Sequence, residues 1–188
     1  LGVENILSFG DSHGHIFEKV NSIEHFPCPA ATAYNLDNEE STSGVNKKIV
    51  NTLKEYNPSE SCVILTFGEI DLREHVYKQS KAQNKLPEII VKDIVDNYMK
   101  FIKSLKSKGF KILINGPHCG GGDGSTSVPL EERNETCKYM NSLLQLECLN
   151  RGICFASLHD IAVNPIYRVN NLEFFRDELH LHYTDNDV

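Results

Sequence analysis

The hydrophobic residues of this chain fall into two patterns, short continuous runs and longer stretches with helical spacing. Short continuous apolar runs are typical of strands that are buried on both faces of a sheet. They predict strands over residues 4–9, 62–67, 110–114 and 153–156. A further short strand is predicted near Ala33-Tyr34, inside an otherwise irregular stretch from residue 21 to residue 43.

Apolar residues that recur every three or four positions predict helices between these strands. The predicted helices cover residues 15–20, 45–56, 89–108 and 129–150. The polar residues 78–87 carry no apolar periodicity, and we predict a loop there.

Strands and helices alternate along the chain, and the helices are long enough for right-handed crossovers between parallel strands. The sequence contains no internal repeat, low-complexity tract or linker. Its 188 residues suffice for one domain with a sizeable core. We therefore predict a single α/β domain over residues 1–188, a three-layer α/β/α sandwich with a mostly parallel, flavodoxin-like sheet.

The charge of the chain narrows the classes of partner. Its formal net charge is −7 and its pI is about 5.6, which disfavours binding to nucleic acid or to an anionic membrane surface. No apolar run is long enough to span a bilayer. The first residues carry no signal-peptide pattern, although the chain opens directly in the first strand, as a chain with a trimmed leader would.

The cysteines indicate a reducing compartment. No two of them have the C-x-x-C spacing of zinc-binding motifs. Four lie inside predicted strands or helices, where buried free thiols are common. We expect six reduced thiols and a cytoplasmic location. The six are Cys28, Cys62, Cys119, Cys137, Cys148 and Cys154.

The candidate chemistry follows the carboxyl ends of the predicted strands. Gly10-Asp11-Ser12 comes directly after the first strand, and the glycine allows a sharp turn that presents the serine hydroxyl. Parallel strands bring their carboxyl ends to one edge of the sheet, which is where open α/β sheets bind ligands. The later strand ends contribute Glu69, Asp71, Arg73, Asn115 and His118.

Ser12 can act as a nucleophile only if a base takes its proton. His180, near the other end of the chain, can be that base, and Asp177 stands one turn earlier to orient the imidazole ring. The Gly-x-Ser-x-Gly sequence of α/β-hydrolases is absent around Ser12. The remaining histidines near the strand ends are predicted as rim or structural residues or have no assigned role: His13, His15, His75, His118 and His182.

Gly10-Asp11-Ser12 together with Asp177-x-x-His180 resembles the SGNH/GDSL hydrolase superfamily. The resemblance covers nearly the whole chain, because the order, spacing and strand context of the blocks also match. It is strongest to a subgroup with Gly-Glu-Ile-Asp in the third block, here residues 68–71. The resemblance implies that Ser12 is the nucleophile, His180 the base and Asp177 the orienting acid. It also implies acyl-ester hydrolysis without a metal or other cofactor, on a lipid, a glycan such as an acylated carbohydrate, or a small ester.

The chain departs from the family pattern at two points. The third block normally reads Gly-x-Asn-Asp and its Asn donates a hydrogen bond to the oxyanion, but Ile70 occupies that position here. Glu69 and Arg73 are candidates for reshaping the oxyanion or substrate site, and Arg73 is an equally good candidate for a structural ion pair. Gly44, at a predicted helix start, is the candidate for the glycine N–H of the second block.

Other functions remain open at the level of the sequence. Asp11-Ser12-His13 and His180-Leu181-His182 are similar to the first and last motifs of calcineurin-like metallophosphoesterases. A two-metal site would then use Asp11, His13, Asp71, His180 and His182. An acyltransferase with the same triad is also compatible with the sequence, as is a silent binding module that lost turnover through the change at Ile70. The sequence does not determine the oligomeric state.

Overall fold

A five-stranded parallel sheet forms the centre of the structure, a computed structural model that describes residues 2–118, 128–163, 173, 180 and 181. The strands lie in the order β2-β1-β3-β4-β5, and every neighbouring pair is parallel. This is the strand order of flavodoxin-like sheets. The strands are β1 (Asn5–Gly10), β2 (Glu24–Pro27), β3 (Ser61–Thr66), β4 (Lys111–Gly116) and β5 (Cys154–Ser157).

Helices connect the strands and flank the sheet, so the predicted three-layer α/β/α class is confirmed. The α-helices are α1 (Val45–Leu53), α2 (Val76–Gln83), α3 (Pro87–Ser107), α4 (Leu130–Arg151) and α5 (His159–Ala162). Short 3₁₀ helices cover Ser12–Phe17, Ala33–Asn35 and Pro58–Glu60, and a π-helical turn covers Asp71–His75.

Two local predictions are wrong. The strand expected near Ala33-Tyr34 is a 3₁₀ helix, and the strand beside β1 is instead Glu24–Pro27. This strand lies at the sheet edge with its side chains exposed or half-buried, so it has no continuous apolar run. The loop expected over residues 78–87 is largely α2, whose helix is polar because only its first residue, Val76, is buried.

The hydrophobic core lies against the central strands. Leu7 of β1 and Leu65 of β3 are fully buried, and so are Tyr98 and Ile102 of α3. Each large apolar side chain removed from water contributes roughly 1.5–3 kcal/mol to folding. The core therefore fixes β1 and β3, and their carboxyl ends carry the candidate site.

Five of the six cysteines lie among the described residues, and all five are free thiols. Burial raises the pKa of the Cys28 and Cys148 thiols to about 11, which keeps both protonated at neutral pH. Cys119 lies outside the described residues. Within the part of the chain that the structure describes, no helix is long and apolar enough to cross a membrane.

We expect Gly116→Ala to destabilise the fold. A Cβ at Gly116 would lie 2.0 Å from Oδ1 of Asn141 and 2.9 Å from the ring of Phe155. Asn141 is held in place, because its Nδ2 donates to the backbone oxygens of Pro117 and Cys137. Overpacking of this kind costs about 1–3 kcal/mol. The free energy of unfolding, measured in urea, should fall by that amount.

The matched control is the same substitution in an Asn141→Ala background, where one of the two contacts is absent. The cost of Gly116→Ala should shrink there. An equal cost in both backgrounds would show that the contact with Asn141 is not its source.

Candidate active site

Ser12 lies directly after the end of β1, as the first residue of the 3₁₀ helix Ser12–Phe17. Asp11 caps this helix, and its Oδ1 accepts the backbone N–H of His13 at 2.9 Å. A Cβ at Gly10 would lie 2.9 Å from the backbone oxygen of Thr66 and 3.0 Å from Cα of Gly14. Glycine is therefore required for the close approach of the serine turn to β3.

The side chain of His13, the residue after Ser12, lies in the interior of the protein. Only 3% of His13 is exposed, so of the two roles predicted from the sequence, rim or structural, the burial fits the structural one. Its Nδ1 lies 3.2 Å from Oδ1 of Asp11 and 3.8 Å from Oε2 of Glu69. Two carboxylates from neighbouring strand ends thus face one imidazole nitrogen.

Glu69 and Arg73 form an ion pair behind His13. Glu69 is 2% exposed, and its Oε1 accepts the Nε of Arg73 at 2.8 Å. Nη1 of Arg73 also donates to Glu74. Burial lowers the pKa of the Arg73 guanidinium, but the hydrogen bond to Glu69 and both carboxylates outweigh it and raise the pKa overall. The sequence offers Asp71 or Glu74 as the partner of Arg73 in a structural ion pair. The structure shows the pair with Glu74 and a second pair with Glu69.

The structure brings three imidazole rings together at this edge. The His180 ring lies 5.0 Å from the His13 ring, and the His118 ring lies 4.8 Å from it in an edge-to-face arrangement. Burial, together with the neighbouring His13, His159 and His180, lowers the pKa of His118 well below its usual value. His118 is therefore neutral at pH 7.

His180, the predicted base, is distant from Ser12 in the sequence, but its ring lies next to that of His13, the residue after Ser12. Asp177 and His182 lie outside the described residues, so the orienting role of Asp177 stays a prediction. No part in ester hydrolysis was predicted for His13 and His118, although both follow strand ends, the same signal that indicated Ser12.

Asp71 holds the neighbouring loop. Its carboxylate is fully buried and accepts the backbone N–H groups of Ala33 at 2.7 Å and Tyr34 at 3.2 Å. Burial raises the pKa of Asp71 to about 7, against the opposing effect of these hydrogen bonds. Ile70, beside it, presents an aliphatic side chain at the position of the usual Asn donor.

Gly44 lies at the start of α1 with a left-handed backbone, φ 62°. Its N–H donates to the backbone oxygen of Ser41 at 2.9 Å, so this donor is already used within its own turn. The oxyanion role predicted for Gly44 stays a prediction.

A cavity of about 510 Å³, whose wall is polar and apolar in about equal parts, adjoins Asp71. Amide, hydroxyl and aromatic side chains form most of its wall, and the paired charges of Lys85 and Asp93 lie 3.7 Å apart at its edge. Its volume lies within the range of small-molecule sites. Ile90 and Ile94 supply an aliphatic part of the wall. The polar side chains around them include Thr32, Tyr34, Asn35, Asp71, Gln79 and Gln83.

The described residues of the proposed two-metal site do not fit that role. The Asp71 carboxylate faces two backbone N–H groups, and Nδ1 of His13 faces Asp11. Among the residues that the structure describes, no group of three or more His, Cys, Asp or Glu side chains is arranged to hold a metal ion. The geometry therefore gives no support to the metallophosphoesterase hypothesis.

The fold is that of solved SGNH/GDSL hydrolase structures. A GDSL-like lipase from Bacteroides thetaiotaomicron matches with a TM-score of 0.65 at 12% identity, over 95% of this chain and 80% of the other. A carbohydrate acetylesterase from Sinorhizobium meliloti matches with a TM-score of 0.58 at 15% identity, over 95% and 90% of the two chains. The resemblance predicted from the sequence motifs is confirmed at the level of the fold.

No protein-family model matches the chain, and neither does any curated protein. The chain is therefore similar to these solved structures in its fold, while its sequence identity to them is low. A shared fold does not by itself determine the reaction or the substrate.

We expect the contribution of Asp71 to stability to depend on pH. Its folded pKa, about 7, lies above the ordinary value of 3.8, so folding favours the protonated carboxyl. This contribution is complete below about pH 4 and is lost as the pH rises through about 7. The free energy of unfolding of the native protein should therefore fall relative to that of Asp71→Asn between about pH 4 and pH 7. Urea titrations of both proteins test this, and a pH-independent difference would contradict it.

Proposed function

We propose that the protein is a serine esterase that hydrolyses a carboxylic acyl ester. Ser12 is the nucleophile, His180 the general base and Asp177 the acid that orients the base. The observation that carries this proposal is the position of His180, which packs against His13, the residue next to Ser12. The shared fold with SGNH/GDSL hydrolase structures supports the same reaction class.

The reaction needs only groups of this chain and water. His180 accepts the proton of the Ser12 hydroxyl as its oxygen attacks the ester carbonyl. The tetrahedral intermediate then expels the alcohol, which takes that proton from His180 and leaves an acyl-serine. Water attacks the acyl-serine with the help of the same base, releasing the carboxylic acid and restoring Ser12.

The developing oxyanion needs hydrogen-bond donors. Ile70 provides none, so backbone groups take a larger share of this role than in chains with Asn at that position. The first turn of a helix presents N–H groups outward. In that turn the N–H groups of His13 and Gly14 already donate to Asp11. The N–H of Ser12 is accordingly our candidate donor.

The substrate class is a neutral acylated carbohydrate. The cavity beside Asp71 supports this, because its amide and hydroxyl groups suit sugar hydroxyls and its charged pair is self-neutralised. Tyr34, which is 48% exposed, offers a ring face for the apolar side of a sugar. Asp71 connects the cavity to the segment after β3, the strand next to the one that carries Ser12.

We expect Ser12→Ala to abolish ester hydrolysis, because no other group can form the acyl intermediate. Turnover of a short-chain aryl acetate should fall by at least about a thousandfold. A fluorophosphonate should add mass to Ser12 of the native protein only, as read by peptide mass spectrometry. Activity retained after exhaustive chelation is part of the expected result. A fully active Ser12→Ala protein would rule out the proposed function.

We expect Gln79→Ala to weaken binding of the carbohydrate ester without slowing the chemistry. Loss of one hydrogen bond should raise KM for an acetylated neutral oligosaccharide by about three- to tenfold. KM for aryl acetate, which has no sugar, should not change. Lys78→Ala is the matched control, an exposed neighbour on α2 outside the cavity wall. An unchanged KM for the oligosaccharide would show that the cavity does not bind the carbohydrate part of the substrate.

A further inference from the structure

His13 is a buried imidazole that the esterase mechanism does not use. We propose that His13 is a positioning residue, which fixes the ring of the base His180 relative to Ser12. This inference rests on the proposed function and adds to it a residue outside the motifs Gly10-Asp11-Ser12 and Asp177-x-x-His180.

The His13 ring is fixed first by its own turn. Oδ1 of Asp11 accepts the backbone N–H of His13 at 2.9 Å and lies 3.2 Å from its ring Nδ1. One carboxylate oxygen thus holds both the main chain and the side chain of the same residue. Because Asp11 is itself buried and follows β1 directly, the ring is tied to the sheet.

A second carboxylate supports the same ring nitrogen from β3. Oε2 of Glu69 lies 3.8 Å from Nδ1 of His13, and its Oε1 accepts the Nε of Arg73 at 2.8 Å. Arg73 therefore sets the orientation of Glu69, and Glu69 faces His13. The tautomer of His13 with its proton on Nδ1 can donate that N–H to Oδ1 of Asp11, which lies within hydrogen-bond distance.

The other sides of the ring meet two further histidines. His118, which follows β4, contacts it edge-to-face at a ring distance of 4.8 Å. His180 lies over it at 5.0 Å with an interplanar angle of 33°. Three neighbouring strand ends therefore hold His13, and His13 in turn forms the wall against which the ring of His180 rests.

His180 needs such a wall because it does not belong to the helices and strands of the fold. The residue after it, Leu181, packs against Ala162 in a small cluster apart from the main core. Misplacing a reacting group by about 1 Å can cost on the order of a hundredfold in rate. A rigid contact surface that keeps the His180 ring in place therefore raises the turnover rate.

The test is His13→Asn, which retains a side-chain N–H donor for Asp11 and removes the ring that contacts His180. We expect kcat for an aryl acetate to fall by about tenfold to a hundredfold, with KM changed less than about twofold. The rate of Ser12 labelling by a fluorophosphonate should fall in parallel. Glu69→Gln should lower kcat in the same direction by a smaller factor, because it removes the carboxylate that supports the ring.

The matched control is His15→Asn. His15 lies on the same 3₁₀ helix, its Nδ1 faces a carboxylate of Glu18 at 3.1 Å, and its ring lies near that of His25. The same substitution there should leave kcat unchanged. Circular dichroism and thermal unfolding establish that each variant is folded.

The positioning role is overturned if folded His13→Asn keeps the native kcat, or if it raises KM alone. Should that variant not fold, Glu69→Gln decides the question by the same measurements together with the histidine ¹H–¹³C spectrum. Its His180 resonance, identified with His180→Ala, should shift, and an unchanged resonance with native kcat overturns the inference. Failure of the proposed function looks different, since Ser12→Ala would then be active and the fluorophosphonate would leave Ser12 unmodified.

Discussion

The close parallel pairing of β1 with β3 is the constraint on which the site depends. Gly10 lies opposite Thr66 in the sheet, and the absence of a side chain at Gly10 lets the serine turn approach β3. This approach brings the carboxylates of Asp11 and Glu69 to the same imidazole of His13, although 58 positions separate the two residues in the sequence. The buried core beneath β1 and β3 holds the two strands together. The geometry of the site therefore depends on the packing of the core.

The elements that could be predicted are those whose burial produces a recognisable pattern of apolar residues in the sequence. β3 is buried on both faces, so it reads as a continuous apolar run, and α3 shows the periodic apolar face of a helix packed on one side. β2 and α2 are mostly exposed, and a mostly exposed strand or helix shows no run or periodic pattern of apolar residues. The segment at Ala33 is shaped by the carboxylate of Asp71, a long-range tie that no local pattern encodes.

The sequence indicates Ser12 and His180 as candidates because a strand end and a spaced Asp-x-x-His are recognisable motifs. Their roles stay predictions, and the buried surroundings of the two residues are not visible in the sequence. The burial of His13 depends on carboxylates and rings that arrive from three strands, so its neighbours in the sequence say nothing about it. Whether a polar residue is buried can be predicted only when its hydrogen-bond partners are known. The burial of an apolar residue can be predicted from the sequence pattern alone.

The anchoring of the loop by Asp71 has an evolutionary consequence. Asp71 holds main-chain N–H groups of Ala33 and Tyr34, so it makes no demand on the identity of their side chains. Residues bordering the cavity can therefore be exchanged while the loop keeps its attachment to the sheet. If the cavity is the substrate site proposed above, substitutions in this loop can change the specificity while its attachment through Asp71 is kept.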